Sequence, residues 1–165
     1  MKLPDNLRIS IAALSLSAAA FVGILTREGY SDNAIIPVPG DVPTVGFGTT
    51  GGVRMGDTTT PLKAVQRAMI DSTNDQSAIK RCVKVPLHQY EYDAYVNLSY
   101  NIGSTAFCNS TAVRRLNASD YVGACEAILM FKMFKGFDCS TTGNKICYGL
   151  WKDRVRVHAQ CVGAQ

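Results

Sequence analysis

The sequence predicts an α+β protein, with a small hairpin sheet near the N-terminus and a mostly helical body after it. Residues 28–58 are rich in glycine and proline and contain only short β-branched pieces. The chain after them carries apolar residues at helical spacing, separated by capping residues and prolines. An uncharged hydrophobic stretch, which we expect to be a helix, precedes both parts. With 165 residues, the chain is long enough for one domain with a sizeable core.

The hydrophobic stretch at residues 9–26, ISIAALSLSAAAFVGILT, contains no charged side chain, and Lys2 and Arg8 precede it. As a helix it would span about 27 Å, slightly less than a hydrocarbon core of about 30 Å. Its serines and its glycine weaken the hydrophobicity, so we expect only marginal insertion into a membrane. The positive-inside rule places the N-terminus in the cytoplasm and residue 27 onward outside.

Three interpretations of this stretch remain open. It is a cleaved signal peptide that uses Ala18-Ala19-Ala20 as its cleavage site, a permanent anchor, or a signal-arrest-release segment that inserts first and later leaves the bilayer uncleaved. The weak hydrophobicity favours the third interpretation, and the flanking charges disfavour a buried core helix. We therefore assign residues 1–27 to a signal-arrest-release segment of transmembrane type and residues 28–165 to the folded domain.

The hairpin is predicted within the segment that follows. The prolines at positions 37, 39 and 43 exclude a helix there. Residues 44–48, TVGFG, are predicted as a short strand and residues 49–52, TTGG, as a turn. Residues 53–55 are then the candidate return strand.

Helix boundaries are marked by capping residues along the rest of the chain. Thr60 and Pro61 predict a helix start, as N-cap and first helical residue, and this long helix is expected to reach Cys82. The remaining predicted helices are a tyrosine-rich stretch at residues 88–100, two segments capped by Asn109-Ser110 and Ser119-Asp120, and a last helix from residue 148 to residue 162.

The cysteines predict disulfides. Their even number, six, in a chain with an export-type N-terminus indicates an oxidising compartment. Cys139 and Cys147 bracket a short polar loop and are predicted to pair. Counting leaves the other pairs open, and we expect Cys82–Cys161 and Cys108–Cys125. Because the sequence has no CxxC and only two histidines, it predicts no metal site, and we expect no cofactor.

The charge pattern limits the partners. A formal net charge of +4 without a run of lysines and arginines argues against a nucleic-acid surface. Mild basicity suits a polyanionic surface such as a bacterial cell wall. Motifs of serine hydrolases, nucleotide-binding loops and zinc proteases are absent from the sequence.

Glu28 is the first candidate catalytic residue. Glycosidic hydrolysis needs a carboxylic acid that donates a proton to the leaving oxygen, usually with a second carboxylate. Glu28 follows an apolar segment, where partial desolvation would raise its pKa. Asp32 and Asp41 are candidates for the second carboxylate, and the Thr44 hydroxyl for holding a water molecule. The alternative from the residues alone is a solvated boundary residue at Glu28 and an ordinary turn residue at Asp41.

Several segments together resemble a known family. The stretch REGY…A…PGDVPTVGFGTT resembles the active-site segment of phage-type lysozymes, glycoside hydrolase family 24. LHQYEYDAYVNLSYNIGSTAFCNSTAVRRLNASDYVGACEAI resembles the helical body of that family, and GLWKDRVRVHAQC its C-terminal helix. With the N-terminal segment included, the chain resembles a signal-arrest-release endolysin. The resemblance implies a lysozyme-like fold, with the hairpin lobe joined by a long helix to a mostly helical C-terminal lobe.

The resemblance also implies roles for residues. Glu28 matches the catalytic acid, and Thr44 matches the threonine before Val-Gly-Phe-Gly. The family's aspartate usually lies nine residues after the glutamate, where this chain has Pro37, and the Glu-to-Thr spacing here is sixteen residues rather than fifteen. We therefore expect Asp41 to take the second role. Asn101 stands where the family has a polar residue lining the cleft, and we expect it to contact sugar.

The implied function is hydrolysis of the β-1,4 bond between N-acetylmuramic acid and N-acetylglucosamine in peptidoglycan, which lyses the host cell. The expected partners are glycan strands and, before release, the host inner membrane. The expected state is a monomer that lies N-in and C-out in that membrane and is then released to the periplasm. The alternatives are a lytic transglycosylase acting on the same bond and a non-catalytic protein that binds the cell wall.

Overall fold

The computed structural model describes residues 7–37 and 40–163, which form a mostly helical structure with two small antiparallel sheets. The α-helices of these ranges are Ala18–Glu28 (α1), Pro61–Cys82 (α2), Gln89–Ile102 (α3), Ser104–Cys108 (α4), Thr111–Asn117 (α5), Tyr121–Glu126 (α6) and Tyr148–Cys161 (α7), and 3-10 helices cover Ile11–Ala13 and Ala127–Met130. The strands are Ser31–Ile35 (β1), Thr44–Gly46 (β2), Met133–Phe134 (β3) and Phe137–Asp138 (β4). The predicted α+β class and the long helix to Cys82 are confirmed.

The chain divides into two compact units. The first unit combines the N-terminal residues up to Leu16 with the chain from Asp75 onward, and the second unit is Ser17–Asn74. The division lies within α2. The separation of a signal-arrest-release segment at residues 1–27 from a catalytic domain at residues 28–165 stays a prediction.

The predicted N-terminal hydrophobic helix is not confirmed, because helix α1 contains only the second half of the hydrophobic stretch. A short 3-10 helix covers Ile11–Ala13, and the backbone is extended at Leu14. Helix α1 begins after Ser17, whose hydroxyl accepts the N–H of Ala20 at 3.1 Å. Among the described residues, no helix combines the length and the apolar character needed to cross a bilayer.

Tertiary contacts of the first unit explain why the helix is interrupted. Ile9 forms an antiparallel bridge with Leu87, with both backbone hydrogen bonds at 3.0 Å. Ile11 and Leu14 are buried in the core of this unit, and the Leu16 N–H donates to the Gln76 side chain at 2.8 Å. These bonds and this burial are incompatible with one continuous α-helix, so they override the helical tendency of the alanines and leucines.

A buried ion pair binds the start of this segment to helix α3. The Arg8 guanidinium donates to both carboxylate oxygens of Glu91, at 3.0 and 2.6 Å, and lies 3.6 Å from the ring centroid of Tyr121. Glu91 also accepts the backbone N–H of His88 at 2.8 Å, which completes a capping box at the start of α3. Arg8 thus links the N-terminal segment to helix α3.

Helix α3 forms the centre of the first unit, since every residue from Glu91 to Ser99 is buried. Helix α7 packs against it. The core is one cluster of apolar side chains from the N-terminal segment and helices α2 to α7; its fully buried members include Ile79, Leu87, Tyr92, Tyr95, Leu98, Phe107, Leu116, Ile128 and Val157.

Three disulfides staple the first unit: Cys82–Cys108, Cys125–Cys161 and Cys139–Cys147. The predicted Cys139–Cys147 pair is confirmed, and the expected Cys82–Cys161 and Cys108–Cys125 pairs are wrong. Helix α4 is a single short turn that ends beside α2, where the Cys108 sulfur also lies 3.6 Å from the Ala78 carbonyl oxygen. Cys108 therefore meets Cys82, and the end of α7 meets α6.

The sheet of the second unit pairs β2 with the upstream strand β1. Ser31 lies opposite Gly46, and Ile35 lies opposite Thr44, with a register irregularity between them. The predicted return strand at residues 53–55 is wrong, because this segment forms a turn in which the Arg54 N–H donates to the Asp57 carboxylate at 2.8 Å. The chain then bridges the other edge of β1.

Candidate active site

Glu28 is the last residue of α1, and its side chain lies over the hairpin turn. A Cβ placed on Gly48 would stand 2.8 Å from Glu28 Oε2 and 3.3 Å from its Cδ atom. The carboxyl group of Glu28 therefore rests directly against the Gly48 backbone. Glu28 is an exposed residue, so the expected partial desolvation is not seen.

The turn that carries Gly48 is a tight loop closed by two backbone hydrogen bonds. The Val45 N–H donates to the Thr49 carbonyl at 3.0 Å, and the Thr49 N–H donates to the Val45 carbonyl at 3.2 Å. Gly46 lies against α2, since a Cβ there would stand 2.8 Å from the Cβ of Ala64. The two glycines of the VGFG sequence thus permit two close approaches, one to α2 and one to Glu28.

Thr44 begins the strand that leads into this turn. It is half-buried, and its hydroxyl donates to the Val42 carbonyl at 3.2 Å. Gly46 lies two positions further along the strand, a distance of about 7 Å. Thr44 and Gly48, the residue that contacts Glu28, therefore belong to the same short segment of strand and turn.

Asp41 lies in the loop before Thr44. It is exposed, and its Oδ1 accepts the N–H of Val42 at 2.9 Å, as in a turn residue. Residues 38 and 39 of the same loop lie outside the described residues. Asp32, the other candidate carboxylate, is an exposed residue of β1 whose Oδ1 accepts the side-chain amide of Asn33 at 2.7 Å.

Asn101 belongs to the other unit, near the end of α3. It is exposed, and its side-chain oxygen accepts a hydrogen bond from the Arg154 guanidinium. Arg154 is buried in α7 and also donates to the Phe131 carbonyl at 3.2 Å and to Asp153 at 2.9 Å. The amide of Asn101 is therefore oriented by a buried arginine, a contact that requires α3 and α7 to pack and that the sequence pattern does not reveal.

The chemistry available to this site is that of a carboxyl group and hydroxyls. Over the residues that the structure describes, no group of three histidine, cysteine, aspartate or glutamate side chains is arranged to hold a metal ion. Glu28, at a helix end and against a tight turn, can give a proton to a ligand or take one from it.

Comparisons of sequence show what this chain is similar to. The phage lysozyme family model matches residues 26–159. The endolysin of Salmonella phage P22 is 40% identical over 110 residues, which are 64% of this chain and 71% of that protein. The SAR-endolysin of Pseudomonas phage phiKMV is 35% identical over 114 residues, which are 69% of this chain and 70% of that protein.

Solved structures that are similar to this one are also phage endolysins or lysozymes. The endolysin from Escherichia coli O157:H7 phage FAHEc1 has a TM-score of 0.76 and 30% identity, over 93% of this chain and 96% of that chain. A point mutant of P22 lysozyme has a TM-score of 0.68 and 31% identity, over 89% of this chain and 97% of that chain. The active form of the P1 phage endolysin Lyz, at 15% identity and a TM-score of 0.71, over 94% of this chain and 95% of that chain, supports the fold alone.

The fold and the relatives define a glycosidase of the lysozyme type. Within that class, the chain belongs to the phage lysozyme family. The predicted resemblance, the lysozyme-like fold and the function of a peptidoglycan-hydrolysing endolysin are confirmed. The lytic transglycosylase and the non-catalytic wall-binding protein receive no support from these comparisons.

Proposed function

We propose that this protein is a muramidase that hydrolyses the β-1,4 bond between N-acetylmuramic acid and N-acetylglucosamine, with Glu28 as the general acid. The observation that carries the proposal is the close approach of the Glu28 carboxyl to Gly48, which sets this exposed acid beside the hairpin of a phage lysozyme family member. A glycosidase acid must hold its proton at a defined place beside the leaving oxygen.

In the proposed reaction, Glu28 donates its proton to the glycosidic oxygen while the bond from that oxygen to the anomeric carbon breaks. Asp41 supports the positive charge that develops on the sugar, or accepts a proton from the attacking water. Thr44 orients that water, which bonds to the anomeric carbon and leaves a reducing end. A separation of the two carboxyl groups of about 6.5–9.5 Å gives inversion, and one of about 5–5.5 Å gives retention. Asn101 contributes a sugar contact.

Removal of the acid tests the assignment. Glu28→Gln should abolish the release of muropeptides while leaving the circular dichroism spectrum unchanged, because the amide has the same shape but no acidic proton. Glu126→Gln, the same change at an exposed glutamate that faces His158 in the other unit, is the matched control. Retained activity in the Glu28 variant would overturn the proposal.

The second carboxylate is tested by paired variants. Asp41→Asn should lower kcat strongly, whereas Asp32→Asn should leave it near the original value. The reverse result would move the second role to Asp32. Mass spectrometry of the released muropeptides should show reducing ends, and anhydro sugars would instead indicate a lytic transglycosylase.

We also propose that the N-terminal segment first lies N-in and C-out in the host inner membrane and that its release to the periplasm activates the enzyme as a monomer. Only Arg27 separates Glu28 from the uncharged stretch, so insertion of that stretch would hold Glu28 at the bilayer surface. The same stretch supplies Ile11 and Leu14 to the core of the folded protein. Because no cysteine lies in it, control through a thiol exchange involving the segment is excluded.

A more hydrophobic segment tests the release. Ala12 and Ser15 are exposed, and the hydrogen bonds that they accept from Lys80 and Gln89 use only their backbone carbonyls. Ala12→Leu with Ser15→Leu should therefore keep the protein in the membrane fraction and enzymatically inactive. The two changes should not disturb the fold of the released protein. Ala12→Gln with Ser15→Gln, of similar side-chain size, should be released. Full lytic activity of a stably membrane-held form would contradict this regulation.

A further inference from the structure

The Glu28 side chain is seated on one glycine. A Cβ at Gly48 would stand 2.8 Å from Oε2, 3.3 Å from Cδ and 3.4 Å from Cγ of Glu28. A side chain at position 48 would therefore overlap Oε2 and crowd Cδ, while Cγ would be in ordinary van der Waals contact. Gly48 also has a φ of +81°, a backbone conformation that favours glycine.

A buried threonine connects the turn that contains Gly48 to α2 by a hydrogen bond. Thr49 is 5% exposed, and its hydroxyl donates to Asp71 Oδ2 at 2.8 Å. The other oxygen of Asp71 lies 3.4 Å from Arg67 Nε, and Arg67 donates to the Gly51 carbonyl at 2.8 Å. These three side chains connect both ends of the turn region to one face of α2.

This connection matters because Glu28 is an exposed side chain at a helix end. Proton transfer requires this carboxyl within hydrogen-bond reach of the leaving oxygen. Contact with the Gly48 backbone removes rotamers that would point into the turn. The position of that backbone relative to α1 therefore limits where the proton can be held.

We propose that Gly48 and Thr49 are positioning residues for the catalytic acid. Gly48 provides the surface on which the Glu28 carboxyl rests, and Thr49, bonded to Asp71, holds the turn that carries this surface. The proposal rests on the proposed role of Glu28 as general acid. It assigns to α2 a part in catalysis, through the polar face formed by Arg67 and Asp71.

The first experiment compares variants of two glycines with similar positive φ angles. Gly48→Ala places a methyl group against Glu28, whereas Gly52, with a φ of +75°, has no atom within 4 Å of an added Cβ. On soluble, uncross-linked glycan strands, Gly48→Ala should lower kcat about a hundredfold with little change in KM, because a displaced acid still permits binding. Gly52→Ala should keep kcat within about twofold, since only backbone strain acts there. Equal kcat values in the two variants would overturn the proposal.

The second experiment tests the tie to α2 and decides the matter if Gly48→Ala fails to fold. Thr49→Val keeps the shape but removes the hydroxyl, and should lower kcat about fivefold at unchanged KM, as expected for one lost hydrogen bond. Thr49→Ser should restore kcat, because it keeps the donor. A purely structural threonine would lower the melting temperature of the valine variant while kcat stayed unchanged, and that result would refute its positioning role.

Glu28→Gln, measured in the same assay, distinguishes the catalytic role of Glu28 from the positioning role of Gly48 and Thr49. If this variant remains active, the proposed function itself fails. If it is silent while the Gly48 and Thr49 variants behave like their controls, only the positioning role fails.

Discussion

Replacing Arg8 with methionine tests how strongly the N-terminal segment is bound into the first unit. The Arg8 and Glu91 side chains are 5% and 4% exposed, and their closest oxygen and nitrogen atoms are 2.6 Å apart. Methionine keeps most of the aliphatic volume beside Tyr121 but leaves the buried carboxylate without its charge partner. Loss of one partner of a buried ion pair costs about 3–5 kcal/mol. For a domain of this size, the melting temperature should fall by on the order of 10 °C.

Urea unfolding, followed by far-ultraviolet circular dichroism, measures this loss. The control is Arg156→Met, which breaks a pair with Asp153 in which the arginine is 42% exposed and which should cost less than about 1 kcal/mol. Adding Glu91→Gln to Arg8→Met should recover part of the stability, because the amide can still accept the His88 N–H without carrying an unpaired charge. A loss below about 1 kcal/mol for Arg8→Met alone would refute the reasoning from burial.

Two further predictions concern the C-terminal part of the first unit. Replacing Cys139 and Cys147 by serine should lower the free energy of unfolding by about 2.5 kcal/mol on the chain-entropy model, and unchanged urea midpoints would contradict this. The hydrogen bond from Lys132, and then those from Ser140, lower the pKa of Asp138 to about 2. Because this pKa is depressed in the folded state, its stabilisation is present above the unfolded pKa of about 4 and is lost as the pH falls through 2. Lys132→Met should therefore raise the Asp138 pKa in a carbon-detected NMR titration. The same variant should lower the melting temperature at pH 6 but not at pH 1.5. An unchanged Asp138 pKa would show that the Lys132 hydrogen bond is not its cause.

The features that the sequence predicted well are local ones. The long helix starts at Pro61 after Thr60, and hydroxyl or carboxyl groups of Ser110 and Asp120 cap α5 and α6. The Cys139–Cys147 pair closes a short loop. In each case the partners are close along the chain, so the residue pattern alone contains the information.

The features that could not be predicted from the sequence depend on packing between distant segments. The Cys82–Cys108 and Cys125–Cys161 pairs require knowledge of which helix ends meet. The partner of β2 is upstream because residues 53–55 prefer a turn held by Asp57.

The candidate site shows the same division. Glu28 and Thr44 follow from a motif that resembles a family, and the two glycines of VGFG are visible in the sequence. The approach of the Glu28 carboxyl to Gly48 depends on how the turn packs against α1, and the bond from Thr49 to Asp71 depends on how it packs against α2. Sequence spacing contains neither of these packing arrangements.

The position of the N-terminal segment in the first unit also sets an order of folding. Arg8 and Glu91 are separated by 83 residues, so their contact closes one of the longest loops in the described chain. Contacts of such high sequence separation carry a large loop-closure entropy and tend to form late. The residues that a ribosome makes first are therefore expected to be among the last to dock, after helix α3 has been synthesised and has folded. The core positions of Ile11 and Leu14 are therefore expected to be filled last, after the helices that surround them have formed.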